Sequence, residues 1–181
     1  MIQRRPPRDP NVPPPPPGDA AVAAKPSRKP ALSLKGRALS YLARREYSRA
    51  ELRRKLLPYV DAEDPEALDR LLDGLEQERW LSNERFAESV VNRRASRLGT
   101  TRIVNELKQH QVDAQTVTEL AEQLRSTELA RARAVWQKKF GEVATTPEAK
   151  AKQMRFLASR GFSRTVISKI VRGADDFADD L

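Results

Sequence analysis

The chain has 181 residues, with 34 Lys and Arg against 25 Asp and Glu and a formal net charge of +9, a balance that favours an anionic partner such as nucleic acid, an acidic protein or a membrane surface. It has no cysteine, which excludes disulfides and thiolate metal sites, and the single histidine, His110, cannot build a metal cluster alone. Aromatics are only 6%, which suits a thin, extended core, and neither a membrane span of roughly 20 apolar residues nor the apolar core of a signal peptide is visible, so a cytoplasmic protein is expected.

Residues 1–33 hold ten of the thirteen prolines, including the run Pro13 to Pro17. Such a run donates no backbone hydrogen bonds and favours polyproline II, so this segment reads as a disordered basic tail. Residues 175–181 make a short acidic tail. Removing both leaves 28 basic and 19 acidic residues in 34–174, so the positive charge belongs to the ordered region.

Between the tails the pattern is helical with punctuation. Leu34, Ala38, Tyr41, Leu42 and Arg45 follow the 3.6-residue period. Ser48 and Glu51 then read as a capping box, each side chain reaching the other's backbone N–H, and Leu52 and Leu56 face inward from the helix it opens. Asp64 with Pro65 predicts the next start, carrying Leu68, Leu71, Leu72 and Leu75. A helix from about Asn83 to Leu98 is expected to end at Gly99 as a left-handed cap. Thr100 or Thr101 opens another with Ile103, Val104 and Leu107, and Asp113 caps one through Val117, Leu120 and Leu124. "STELARARAVWQKKFG" supplies a helix ending at Gly141, Thr146-Pro147 opens one to Arg160, and Ser163 caps the last, to about Arg172. No alternating strand pattern stands out.

The apolar anchors repeat. Tyr47, Leu52 and Leu56 match Leu98, Ile103 and Leu107, and again Phe162, Ile167 and Val171, with Leu39, Val90 and Met154 aligned in the preceding helix. The core anchors are therefore Leu52, Leu56, Ile103, Leu107, Ile167 and Val171. Units this small bury their stripes only when neighbours cover them.

The stretches "YLARREYSRAELRRKL", "RWLSNERFAESVVNRR", "LGTTRIVNEL", "KKFG" and "RFLASRGFSRTVI" stand in an order that resembles the RecX family of bacterial recombinase regulators. The resemblance covers roughly residues 34–172. It implies an all-α, elongated, curved array of three tandem three-helix repeats, divided here as 34–80, 81–125 and 126–174. It also implies binding to the RecA filament on DNA, with restraint of recombination and ATP hydrolysis. Arg79 and Gln111 stand where family members often have glycine.

Four basic groups are candidates for the contact surface. Arg44, Arg45, Arg49, Arg53, Arg54 and Lys55 surround the second helix with only Glu46 and Glu51 to offset them. Arg93, Arg94 and Arg97 precede Gly99, where they also complement a helix dipole. Arg131, Arg133, Lys138 and Lys139 flank Trp136, whose place on an apolar stripe makes it core. Lys150, Lys152, Arg155, Arg160 and Arg164 form the fourth. Trp80, at a helix end, reads as a core anchor between units, and His110, among polar neighbours, as a solvated side chain.

No nucleophile with a base, tuned carboxylate pair or phosphate-cradling glycine loop is visible. The expectation is a regulator without catalytic, metal or cofactor residues, probing DNA with little sequence specificity and working as a monomer. Two rivals remain open. One is an autonomous DNA-binding module with helix 49–57 in the major groove; the other is a protein-only adaptor whose charge serves solubility.

Overall fold

The protein, represented by a computed structural model, is described over residues 32–172, which form helices with no strand among them. Both expected tails lie outside the described residues, save Leu32 and Ser33 at one end. Helices α1 (Leu34–Leu42), α2 (Arg49–Leu56) and α3 (Ala67–Gln77) make a first unit. The second comprises α4 (Asn83–Arg94), α5 (Thr100–Gln109) and α6 (Ala114–Ser126), and the third α7 (Glu128–Lys139), α8 (Pro147–Ser159) and α9 (Arg164–Arg172).

Each unit closes around its own apolar cluster. Leu52, Leu56, Leu68, Leu72, Leu75 and Leu81 fill the first. Phe86, Val90, Ile103, Leu107, Val112 and Val117 fill the second. Trp136, Leu157, Phe162, Ile167, Ile170 and Val171 fill the third.

The second and third units correspond at a constant offset of 50 residues: Phe86, Leu107, Val112, Val117 and Leu120 occupy the places of Trp136, Leu157, Phe162, Ile167 and Ile170. This corrects the spacing-based register, which pairs Ile103 and Leu107 with Ile167 and Val171 and so slips by one helix. The counterpart of Ile103 is Gln153, a buried amide that accepts from Trp136 Nε1 at 3.1 Å and donates to the Glu142 carbonyl at 2.8 Å. An amide in an apolar slot hides the repeat from a search for hydrophobic anchors. Met154, aligned by spacing with Val90, is accordingly exposed while Leu157 fills the core.

Local hydrogen bonds explain most helix starts. Ser82, Asp113, Thr146 and Ser163 accept from the N–H three residues on, at 3.2, 2.8, 3.3 and 3.4 Å. The bond from Thr116 N–H holds the Asp113 carboxyl below the usual carboxylate range. Ser48 likewise accepts from Glu51 N–H at 3.1 Å, but the expected box is only half made: the Glu51 carboxylate turns to the Arg45 guanidinium instead. Asp64 does not open α3. A turn closed by Ala67 N–H on the Asp64 carbonyl at 3.2 Å delays the helix to Ala67, and the Asp64 carboxylate pairs with Arg70.

Three turns share one construction. Arg79, Gln111 and Gly161 adopt φ of 60°, 57° and 82°, and the following N–H bonds back to the carbonyl of Leu75, Leu107 or Leu157 at 2.9, 3.2 and 3.3 Å. This left-handed closure favours glycine, which gives a physical reason for the glycine that the resemblance leads one to expect there. Gln111→Gly is expected to raise stability by roughly 0.5–1 kcal/mol, the relief of a strained Cβ outweighing the added freedom of the unfolded chain. Urea denaturation reads this directly; a loss of stability would mean that the Gln111 side chain contributes more than its strain costs.

Candidate nucleic-acid interface

Charge is unevenly divided among the three units. Residues 32–81 carry ten basic and ten acidic side chains, 82–126 seven and six, and 127–172 eleven and three. The net values are 0, +1 and +8, so nearly the whole excess lies in the third unit.

Most of the first basic group is engaged within the fold. Arg49 bonds Asp73 and Glu76, both at 2.6 Å, and although burial opposes it, these carboxylates hold its pKa above the ordinary value. Arg53 bonds Asp69 at 3.1 Å, and that bond holds the Asp69 carboxyl below its usual range. Arg45 is gripped by Glu51 and lies 3.7 Å over the Tyr47 ring. Lys55 rests near the rings of Tyr41 and Tyr47. Only Arg44 and Arg54 of this group stand exposed without a partner among the described residues. The cluster that dominates the sequence is therefore corrected from an open cationic face to a largely neutralised one.

The second and third groups divide similarly. Arg94 pairs with Glu106 at 3.0 Å, Arg93 donates to the Ser89 carbonyl at 3.1 Å, and Arg97 is exposed with no partner among the described residues. Arg131 is withdrawn from the contact surface. Half-buried, it donates to the carbonyls of Ala95, Leu98 and Leu124 and to the Thr100 hydroxyl, at 2.6–3.3 Å. Burial lowers the pKa of this guanidinium, partly countered by the Glu128 carboxylate. Arg133, Lys138 and Lys139 lie on exposed positions of α7.

Arg131 belongs to a seam between the second and third units. Glu128, buried, accepts from Thr100 N–H at 3.0 Å and so caps α5 from another helix. Gly99 N–H bonds the Arg160 carbonyl at 2.8 Å, and Thr101 N–H that of Gly161 at 3.2 Å. Gly99 is thus extended, with φ −78° and ψ 165°, as the N-cap of α5. It is not a left-handed terminator of α4, which stops earlier, at Arg94.

The seam sets α8 and α9 against a rigid neighbour and leaves their outer faces open. Lys152 and Arg155 of α8 are exposed and Lys150 half-buried. On α9, Ile167, Ile170 and Val171 face the core, while Thr165, Ser168, Lys169 and Arg172 share the opposite face. None of these cations pairs with a carboxylate among the described residues. Hydroxyls interleaved with unpaired cations suit phosphate oxygens, which position a nucleic acid without reading its bases. Lys169 and Arg172 escaped the sequence reading because each stands alone in its stretch; counting charge by folded unit would have found them.

Two further expectations are corrected. His110 is only partly solvated: its ring meets Phe86 edge-on at 4.9 Å and its Nδ1 is buried. Trp80 is not a core anchor, being 56% exposed, whereas Trp136, at 7%, is core. Among the described residues no group of three or more His, Cys, Asp or Glu could hold a metal, and no helix is long and apolar enough to cross a membrane.

Comparison with known proteins finds one match within each of the three units. Models of the first, second and third three-helix domains of RecX match residues 35–63, 82–120 and 126–171. The regulatory protein RecX of Ralstonia pickettii (strain 12J) is 56% identical over 149 residues, covering 82% of this chain and 92% of that protein. The regulatory protein RecX of Herminiimonas arsenicoxydans is 48% identical over 148 residues, covering 82% and 97%. The crystal structure of RecX from Lactobacillus salivarius superposes with a TM-score of 0.64 at 19% identity, over 77% of this chain and 92% of that one, a likeness of fold.

Proposed function

The chain belongs to the RecX family of regulatory proteins, and from that premise we propose that it docks on a RecA filament assembled on DNA and restrains the filament's recombination and ATP hydrolysis without catalysis of its own. The observation that carries the DNA side of this reading is the third unit, with eleven basic residues against three acidic ones. Its unpaired cations on α8 and α9 face a polymer whose phosphates recur at regular spacing, and binding there releases counterions whatever the base sequence. The first unit, charge-balanced and ion-paired, has no such affinity to offer.

The test is the DNA-dependent ATP hydrolysis of the recombinase as this protein is added below stoichiometric amounts, with DNA affinity titrated separately across salt. Inhibition at amounts too small to coat the DNA is expected. Inhibition only at DNA saturation would favour an autonomous DNA-binding module, and salt-insensitive inhibition without DNA affinity a protein-only adaptor.

A further inference from the structure

Trp80 is exposed for a reason that lies in its turn. At Gln111 and Gly161 a single apolar residue, Val112 or Phe162, separates the left-handed residue from the cap, and it is buried. The turn at Arg79 has one residue more. Leu81 takes the buried slot, its N–H on the Leu75 carbonyl at 3.1 Å, and Trp80 is displaced to the surface. Nothing in the turn requires an indole there.

The displaced ring sits on a fixed backbone. One guanidinium nitrogen of Arg85 donates to the carbonyls of Arg79 and Trp80 at 3.1 and 3.2 Å, and Nε of the same group bonds Glu46 at 2.9 Å. The Arg79 side chain beside Trp80 is exposed and has no partner among the described residues. A tryptophan and an arginine held ready together have the composition of an interface hot spot, and a preformed backbone lowers the ordering cost of binding.

We infer that the Arg79–Trp80 turn docks on a protein, the recombinase surface of the filament, while the third unit holds the DNA; the inference rests on the filament function proposed above. Charge selects the occupant. Aromatic platforms for single-stranded bases lie in positively charged grooves that track the backbone, and the first unit is neutral, with Arg45, Arg49 and Arg53 already on carboxylates. A strand laid across Trp80 would meet Arg79 and, already paired with Glu46, Arg85 for its phosphates. A protein surface needs no such field.

The test compares Trp80→Ala and Trp80→Phe in the full chain, with helical content checked by circular dichroism. For alanine, the concentration giving half-inhibition of recombinase ATP hydrolysis should rise roughly tenfold or more, and for phenylalanine by less. Affinity for a mixed-sequence single-stranded oligonucleotide without recombinase should stay within about twofold. A matching loss of DNA affinity would make Trp80 a base-stacking platform and overturn the inference. Unchanged inhibition by Trp80→Ala, beside an inhibitory wild type, would also overturn it and leave the filament function standing. A wild type that does not inhibit would remove the filament function and this contact together.

Discussion

Gly99→Ala should destabilise the protein by about 3 kcal/mol or more, above the common range for an overpacked site, because nothing near the new methyl can move aside. A Cβ on Gly99 would lie 2.2 Å from the carbonyl carbon and oxygen of Gly161 and 2.3 Å from the nitrogen of Phe162. These are backbone atoms, and Gly161 is itself pinned, since a Cβ there would come within 2.7 Å of Arg102 Cβ. Relief requires the seam to part. Parting stretches the bonds from Gly99 N–H to Arg160 and from Thr101 N–H to Gly161, and each buried group left unpaired costs roughly 1–3 kcal/mol more. In a chain of this length a 3 kcal/mol loss lowers Tm by about 6–12 °C. Gly74→Ala is the matched control. It lies within α3 with nothing within 4 Å of its new Cβ, so it should gain roughly 0.5–1 kcal/mol. A Gly99→Ala loss below about 1 kcal/mol would show that the seam slackens without consequence.

The seam matters because it fastens the cationic unit to the rest of the molecule. Glu128 and Arg131 leave the first turn of α7 and reach the ends of α4, α5 and α6. Replacing Glu128 strands the buried Thr100 N–H, and replacing Arg131 leaves part-buried carbonyls without their donor. Backbone bonds between α5 and the α8–α9 turn fix the second and third units against each other more firmly than side chains alone could.

How far the sequence discloses this depends on the range of each interaction. Asp113, Thr146 and Ser163 are legible as caps because the N–H they accept from is three residues away. The helical period exposes Leu52, Leu56, Ile103 and Leu107 for the same reason. Gly99 is misread because its partner, Gly161, is 62 positions on, and a glycine after a helix looks like a terminator until the opposing backbone is known. Arg53 looks free until α3 brings Asp69 beside it. Arg131 looks like one cation among four until its carbonyl partners assemble around it. Trp80 fails differently: its place at a helix end reads as a core anchor, and one extra turn residue puts it outside. Local signals thus reveal the helices, but whether a given cation is spent inside the fold is a tertiary property.

That distinction makes the sharpest prediction for the interface. Lys152→Glu with Arg155→Glu removes two exposed, unpaired cations from α8 and takes the net charge of the third unit from +8 to +4. Arg54→Glu removes one from the first unit, and like them it is exposed. If phosphates lie along the third unit, the α8 pair should weaken binding to mixed-sequence DNA by roughly tenfold or more at low salt. The slope of log affinity against log salt should fall by about 2, one for each lost phosphate contact. Arg54→Glu should leave the slope unchanged and the affinity within about twofold. Base composition should not alter the ratio between variants, because contacts to phosphate carry no sequence information. The outcome against it is equally plain: an Arg54→Glu loss as large as that of the α8 pair would return the contact to the ion-paired first unit. Such a result would require the Arg49 and Arg53 bridges to open on binding, since only then could that helix present enough charge to compete.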